Sequence, residues 1–193
     1  ERQIPLSKLI KIFNKSFGKN EKSDLLKTLK NNIGELIIDD ISESNNTLLD
    51  FLPIENIFVN INVKNWKEAI EKSGNLLKEK GYVNNNYIDS LITAFEKYNS
   101  YMLISDKIAI PHARNNKDIL KTGMVLITLK EKVKVPSGKE LKTLLTFSSF
   151  DNLEHLDALS EFSDLLLNSS FKEFIVNAQS PEEIRTFIKK NLD

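Results

Sequence analysis

The chain has no cysteine, which excludes disulfides, thiolate metal sites and a cysteine nucleophile. Histidine is nearly as scarce, with two in 193 residues. A histidine-rich metal cage is therefore excluded, and neither a metal nor a cofactor is expected. No apolar run approaches the length that a membrane span needs, and the first residues show no charged start, apolar stretch and small-residue cleavage site. Charge of one sign is missing too. The 27 basic and 27 acidic side chains cancel, leaving no net field to gather nucleic acid or anionic lipid. These absences lead us to expect a cytoplasmic chain with no membrane insertion and no direct nucleic-acid contact. What is present is ordinary: 40% hydrophobic and 28% charged residues, which suits one good-sized soluble core.

Residues 1–50 differ in character from the rest. Leu6, Leu9, Ile10 and Phe13 recur at helical spacing, as do Leu25, Leu26, Leu29 and Ile33. A polar block from Ser42 to Thr47 closes the segment. We read 1–50 as a helical N-terminal extension or connector without a catalytic constellation, and 51–193 as the working domain. There, Ile57, Val59, Ile61 and Val63 alternate as a strand does. Asn65 caps a helix with Glu68 as its capping-box partner, Trp66, Ala69, Ile70 and Leu77 share a face, and Gly81 stops it. A second helix is expected over Asn86–Tyr98, burying Tyr87, Leu91, Phe95 and Tyr98, followed by a strand Tyr101–Ile104. Gly123–Leu129 is apolar enough for a strand buried on both faces. Pro136-Ser137-Gly138 turns the chain into a further strand, Leu141–Phe147. The remainder is helical: His155, Leu159, Phe162 and Leu166 form one stripe, and Ser170/Glu173 and Ser180/Glu183 read as capping boxes. The expected fold is α/β, a mixed β-sheet of four to five strands flanked by helices on both faces.

The stretch Asp106–Arg114 concentrates the chemistry. Ile108-Ala109-Ile110 is a buried strand, and Pro111, which cannot donate to a ladder, ends it or lies on an edge. His112 then emerges on stiff backbone with the guanidinium of Arg114 two residues on. A neutral imidazole is a nucleophile near pH 7, and a guanidinium holds an oxyanion. The plainer reading of a lone histidine here is a ring packed at a strand end and bonded to a carbonyl. His155, on the first turn of a helix, has the amide donors and positive dipole end that suit a phosphate.

Ile108-Ala109-Ile110-Pro111-His112-Ala113-Arg114 resembles the phosphorylation-site motif of enzyme IIA domains of the bacterial sugar phosphotransferase system. The branch is the fructose–mannitol type, closest to its ascorbate/galactitol-like members. The likeness runs from about Leu52 to the C-terminus, through Asn65–Ile70, Asn86-Tyr87-Ile88, Phe95–Tyr98 and Glu154–Ser160, in family order. It implies a phosphotransferase in which His112 takes a phosphoryl group from the phosphohistidine of HPr and passes it to an enzyme IIB partner. His155 would steady the phosphoryl group, Arg114 and Ala113 would bind it, and Glu96 and Ser100 would support the site. Four departures stand out: Phe95 for an arginine, Asn99-Ser100 for glycine-proline, Lys107 for glycine, and Asn115 for a proline. The N-terminal lead-in resembles the segment before such domains in transcriptional regulators with paired regulatory domains. Sugar uptake and control of a transcriptional activator or antiterminator both stay open as roles. Two other classes compete: a phosphodiester hydrolase using both histidines as general acid and base, and an interaction module of the same fold that does not cycle phosphate.

Overall fold

In the computed structural model, residues 47–114, 116–150 and 155–192 are described. The helices expected before residue 47 therefore lie outside the described residues, as does any connector role for them. Thr47 opens α1 (Leu48–Phe51) through a capping box with Asp50. This single turn is tied to the C-terminal helices, and Leu48 and Leu52 are fully buried. Glu161 accepts from the Leu48 amide at 2.6 Å, and Arg185 donates to the Leu52 carbonyl at 2.9 Å.

A 3-10 turn at Ile54–Asn56 leads into β1 (Ile57–Ile61), the strand expected from the alternation of its apolar residues. Asn65 caps α2 (Trp66–Glu79), accepting from the Glu68 amide at 3.0 Å. The Glu68 carboxylate reaches the Lys64 amide at 2.7 Å rather than the cap's own. Gly81, at φ +73°, ends the helix in the left-handed region that glycine enters freely.

The next helix corrects the sequence reading. α3 runs over Asn85–Met102, four residues past Tyr98, with a break in helical geometry at Tyr98 itself. Asn99 carries the chain through: its side chain donates to the Glu96 carbonyl at 3.1 Å and accepts from the Ser137 amide at 3.2 Å. Tyr98 is consequently 44% exposed rather than buried. The strand expected at Tyr101–Ile104 is β2 (Leu103–Ser105), and β3 is Lys107–Ala109. β4 (Gly123–Lys134) and β5 (Glu140–Ser148) are both longer than their apolar runs.

Every residue from Gly123 to Leu129 is buried, as a strand covered on both faces requires. The order is β1-β4-β5-β3-β2. β1 with β4 and β3 with β5 are parallel, and the other two pairs are antiparallel. This is the mixed five-stranded sheet with helices around it. On one side Ala69, Ile70, Leu77, Tyr87, Leu91 and Phe95 of α2 and α3 pack with Val125, Ile127 and Leu144 of the central strands. The C-terminal helices are α4 (Leu156–Leu165), α5 (Ser169–Asn177) and α6 (Pro181–Leu192). α5 is capped by Asn168, whose side chain accepts from the Ser170 amide at 2.9 Å, not by Ser170. His155, Leu159, Phe162 and Leu166 are all buried, as their stripe predicts.

Candidate functional site

His112 lies three residues past β3, where the chain leaves the sheet. Its Nδ1 is 3.0 Å from the carbonyl oxygen of Ile110. A carbonyl only accepts, so Nδ1 carries the hydrogen and Nε2 keeps its lone pair. Burial pushes the His112 pKa below its usual 6.5. The Ile110 bond opposes that shift, and the nearby Arg114 charge adds to it. The ring is half-buried while Arg114 is exposed, and among the described residues that guanidinium makes no ion pair. A neutral, tautomerically fixed imidazole thus stands near a guanidinium that has no ion-pair partner among the described residues.

Phe147, near the end of β5, brings in the second histidine. The His112 ring stacks on it with centroids 5.1 Å apart, and His155 stacks on it at 5.0 Å. Laid end to end, those distances put the two imidazoles at most about 10 Å apart. His155 is the residue from which α4 starts. It is only 7% exposed, and its Nδ1 is 2.7 Å from the Ser149 hydroxyl.

Of the other expected site residues, Ala113 joins the site through its backbone. Its amide donates to the Tyr87 hydroxyl at 3.2 Å, so it holds the histidine segment in place. Glu96 and Ser100 are exposed on α3, and among the described residues neither side chain is hydrogen-bonded to His112 or Arg114.

Four contributors were not singled out on sequence. Tyr87 donates to the Phe147 carbonyl at 2.8 Å, and burial pushes its hydroxyl pKa up to about 12. Phe147 is the shared platform, and Ser149 sets the His155 ring. Asp118, at the end of a 3-10 turn Asn116–Asp118, is almost buried. It accepts from Asn84 at 2.7 Å and Asn86 at 3.3 Å, clasping the loop after Arg114 to the start of α3. The one available signal was a tyrosine, rather than a phenylalanine, on the buried face of a helix, since a buried hydroxyl needs a partner. Elsewhere in the domain Leu120, Phe150 and Leu156 are exposed. Among the described residues no group of three or more His, Cys, Asp or Glu side chains is placed to hold a metal, and no helix is long and apolar enough to cross a membrane.

The arrangement can do one thing well. It can present an imidazole Nε2 in line to a transferable group, with a guanidinium to balance the oxyanion charge. The family described as "Phosphoenolpyruvate-dependent sugar phosphotransferase system, EIIA 2" matches residues 50–191. The mannitol-specific cryptic phosphotransferase enzyme IIA component of Escherichia coli K12 is 32% identical over 144 residues, covering 74% of this chain and 98% of that protein. The solution structure of the Escherichia coli mannitol-specific cryptic enzyme IIA superposes with a TM-score of 0.67 at 31% identity, over 75% of this chain and 99% of that one. The Escherichia coli mannitol enzyme IIA solved with phosphorylated enzyme IIB shares the fold at a TM-score of 0.60 and 24% identity, over 70% of this chain and 95% of that one.

Proposed function

This chain belongs to the enzyme IIA type 2 family of the phosphoenolpyruvate-dependent sugar phosphotransferase system, and on that premise we propose that His112 is its phosphoryl acceptor, with phospho-HPr as donor and an enzyme IIB as recipient. The observation that carries the reading is the 3.0 Å bond from Nδ1 to the Ile110 carbonyl, which leaves Nε2 as the nucleophile. In the forward step Nε2 attacks phosphorus as the N–P bond of the donor phosphohistidine breaks, and the ring proton stays on Nδ1. The new N–P bond is then broken by a cysteine or histidine of IIB, restoring neutral His112. Arg114 balances the charge on the equatorial oxygens while they pass between partners. We assign His155, which stacks on the same Phe147 ring, to steadying the phosphoryl group. The exposed Leu120, Phe150 and Leu156 offer protein partners apolar surface to cover.

Incubation with enzyme I, HPr and phosphoenolpyruvate should add a single acid-labile phosphoryl group. His112→Ala should abolish the gain and His155→Ala should reduce it. Phosphodiester turnover without enzyme I and HPr would instead support a two-histidine hydrolase. That chemistry would need both imidazoles on opposite sides of one scissile bond. No gain and no turnover would leave an interaction module. The Escherichia coli relatives are mannitol-specific, but the sugar is selected by the permease partner rather than by a phosphohistidine. A regulatory role would rest on the N-terminal segment, most of which lies outside the described residues.

A further inference from the structure

Tyr87 is fully buried on α3 and plays no part in the transfer itself, yet its hydroxyl occupies a particular place in the sheet. The parallel pairing of β3 with β5 sets Ile108 opposite Thr143. Carried forward, that register puts Ile110 opposite Leu145 and His112 opposite Phe147. A parallel pair at Ile110 would need a bond from the amide of residue 111, and Pro111 has none. A parallel pair at His112 needs two bonds. One runs from the Phe147 amide to the Pro111 carbonyl, and it is made, at 3.3 Å. The other would run from the Ala113 amide to the Phe147 carbonyl, and it is not made directly. The Tyr87 hydroxyl stands between the two groups, accepting from the amide at 3.2 Å and donating to the carbonyl at 2.8 Å.

We propose that Tyr87 is a positioning residue whose hydroxyl is spliced into the β5 ladder at His112, holding the histidine segment one oxygen atom away from the strand. The splice separates the segment from the sheet while keeping its polar groups satisfied. His112 can then turn its Nδ1 back to the Ile110 carbonyl and lay its ring on Phe147. Without the hydroxyl, the Ala113 amide and Phe147 carbonyl have two options. They meet directly at about 2.9 Å, or they stay buried and unpaired at a cost in stability. Either way the backbone next to the nucleophile shifts against its platform. A tyrosine that merely fills the core would be replaced by phenylalanine without consequence for the imidazole.

The inference rests on His112 as acceptor, so its test has one arm that needs no partner. Tyr87→Phe keeps the ring and removes only the oxygen. In the isolated protein, imidazole nitrogen-15 shifts of His112 should move from a protonated-Nδ1 pattern toward a mixture of tautomers. Single-turnover transfer from saturating phospho-HPr should fall about ten- to a hundredfold, as small misplacements of reacting groups do, with donor affinity unchanged within about twofold. Ile188→Val, in the buried face of α6, serves as a remote destabilised control and should move neither readout. A Tyr87→Phe protein that melts earlier but keeps wild-type nitrogen shifts and transfer rate would overturn the proposal. A wild-type chain that takes no phosphoryl group would sink the carrier reading alone, since the nitrogen shifts would still decide the role of Tyr87.

Discussion

The carbonyl of Ile110 selects which nitrogen of His112 is free, and burial selects the charge. Because the folded pKa lies below 6.5, the unfolded chain holds the extra proton in the interval between the two values. The His112 contribution to stability is therefore complete above pH 6.5 and is lost as pH falls below 6.5 through the folded value. An NMR titration should give a His112 midpoint below 6.5, and His112→Ala should remove that component from the acid limb of a pH–stability curve. His112 and Arg114 stood out in the sequence as candidates because the chain has two histidines and a guanidinium lies two residues from this one. Tyr87 was legible only as a buried aromatic. Its hydroxyl acts on partners brought to it by strand register, and no local pattern carries that information.

Among the elements, the start of β3 holds the sharpest local conflict. Lys107 sits at φ +66°, the left-handed region that costs a non-glycine residue about 1–2 kcal/mol. Glycine would enter that region without this cost. Lys107→Gly should stabilise the protein by about 0.5–1 kcal/mol once the extra flexibility of glycine in the unfolded chain is subtracted, seen as a higher urea midpoint. Where β4 begins the conflict would run the other way. A Cβ on Gly123 would come within 2.3–2.5 Å of the Tyr82 ring. Gly123→Ala should therefore cost about 1–3 kcal/mol as that ring is displaced, measured as a lower thermal midpoint. Asn65, Gly81 and the buried run of β4 could be read directly, because caps, stops and burial are local signals. The end of α3 could not. Asn99 holds the helix past its kink through a bond to the β4–β5 turn at Ser137, a contact between segments far apart in sequence.

At the scale of the whole chain, the apolar patterning anticipated a mixed sheet of four to five strands, and five are present among the described residues. The strand order was beyond it, since β1 pairs with β4 across more than sixty residues. That long connection is filled largely by α2 and α3, and the chain's single tryptophan marks their contact: Trp66 stacks on Phe95 with centroids 5.8 Å apart. Phe95 lies eight residues along α3 from Tyr87, about 12 Å at helical rise. The molecule thus carries one indole fluorophore, placed in its scaffold rather than at its working end. Its emission should follow urea unfolding through the whole transition and stay constant while His112 is loaded and discharged, so that a single cuvette separates loss of fold from loss of phosphate.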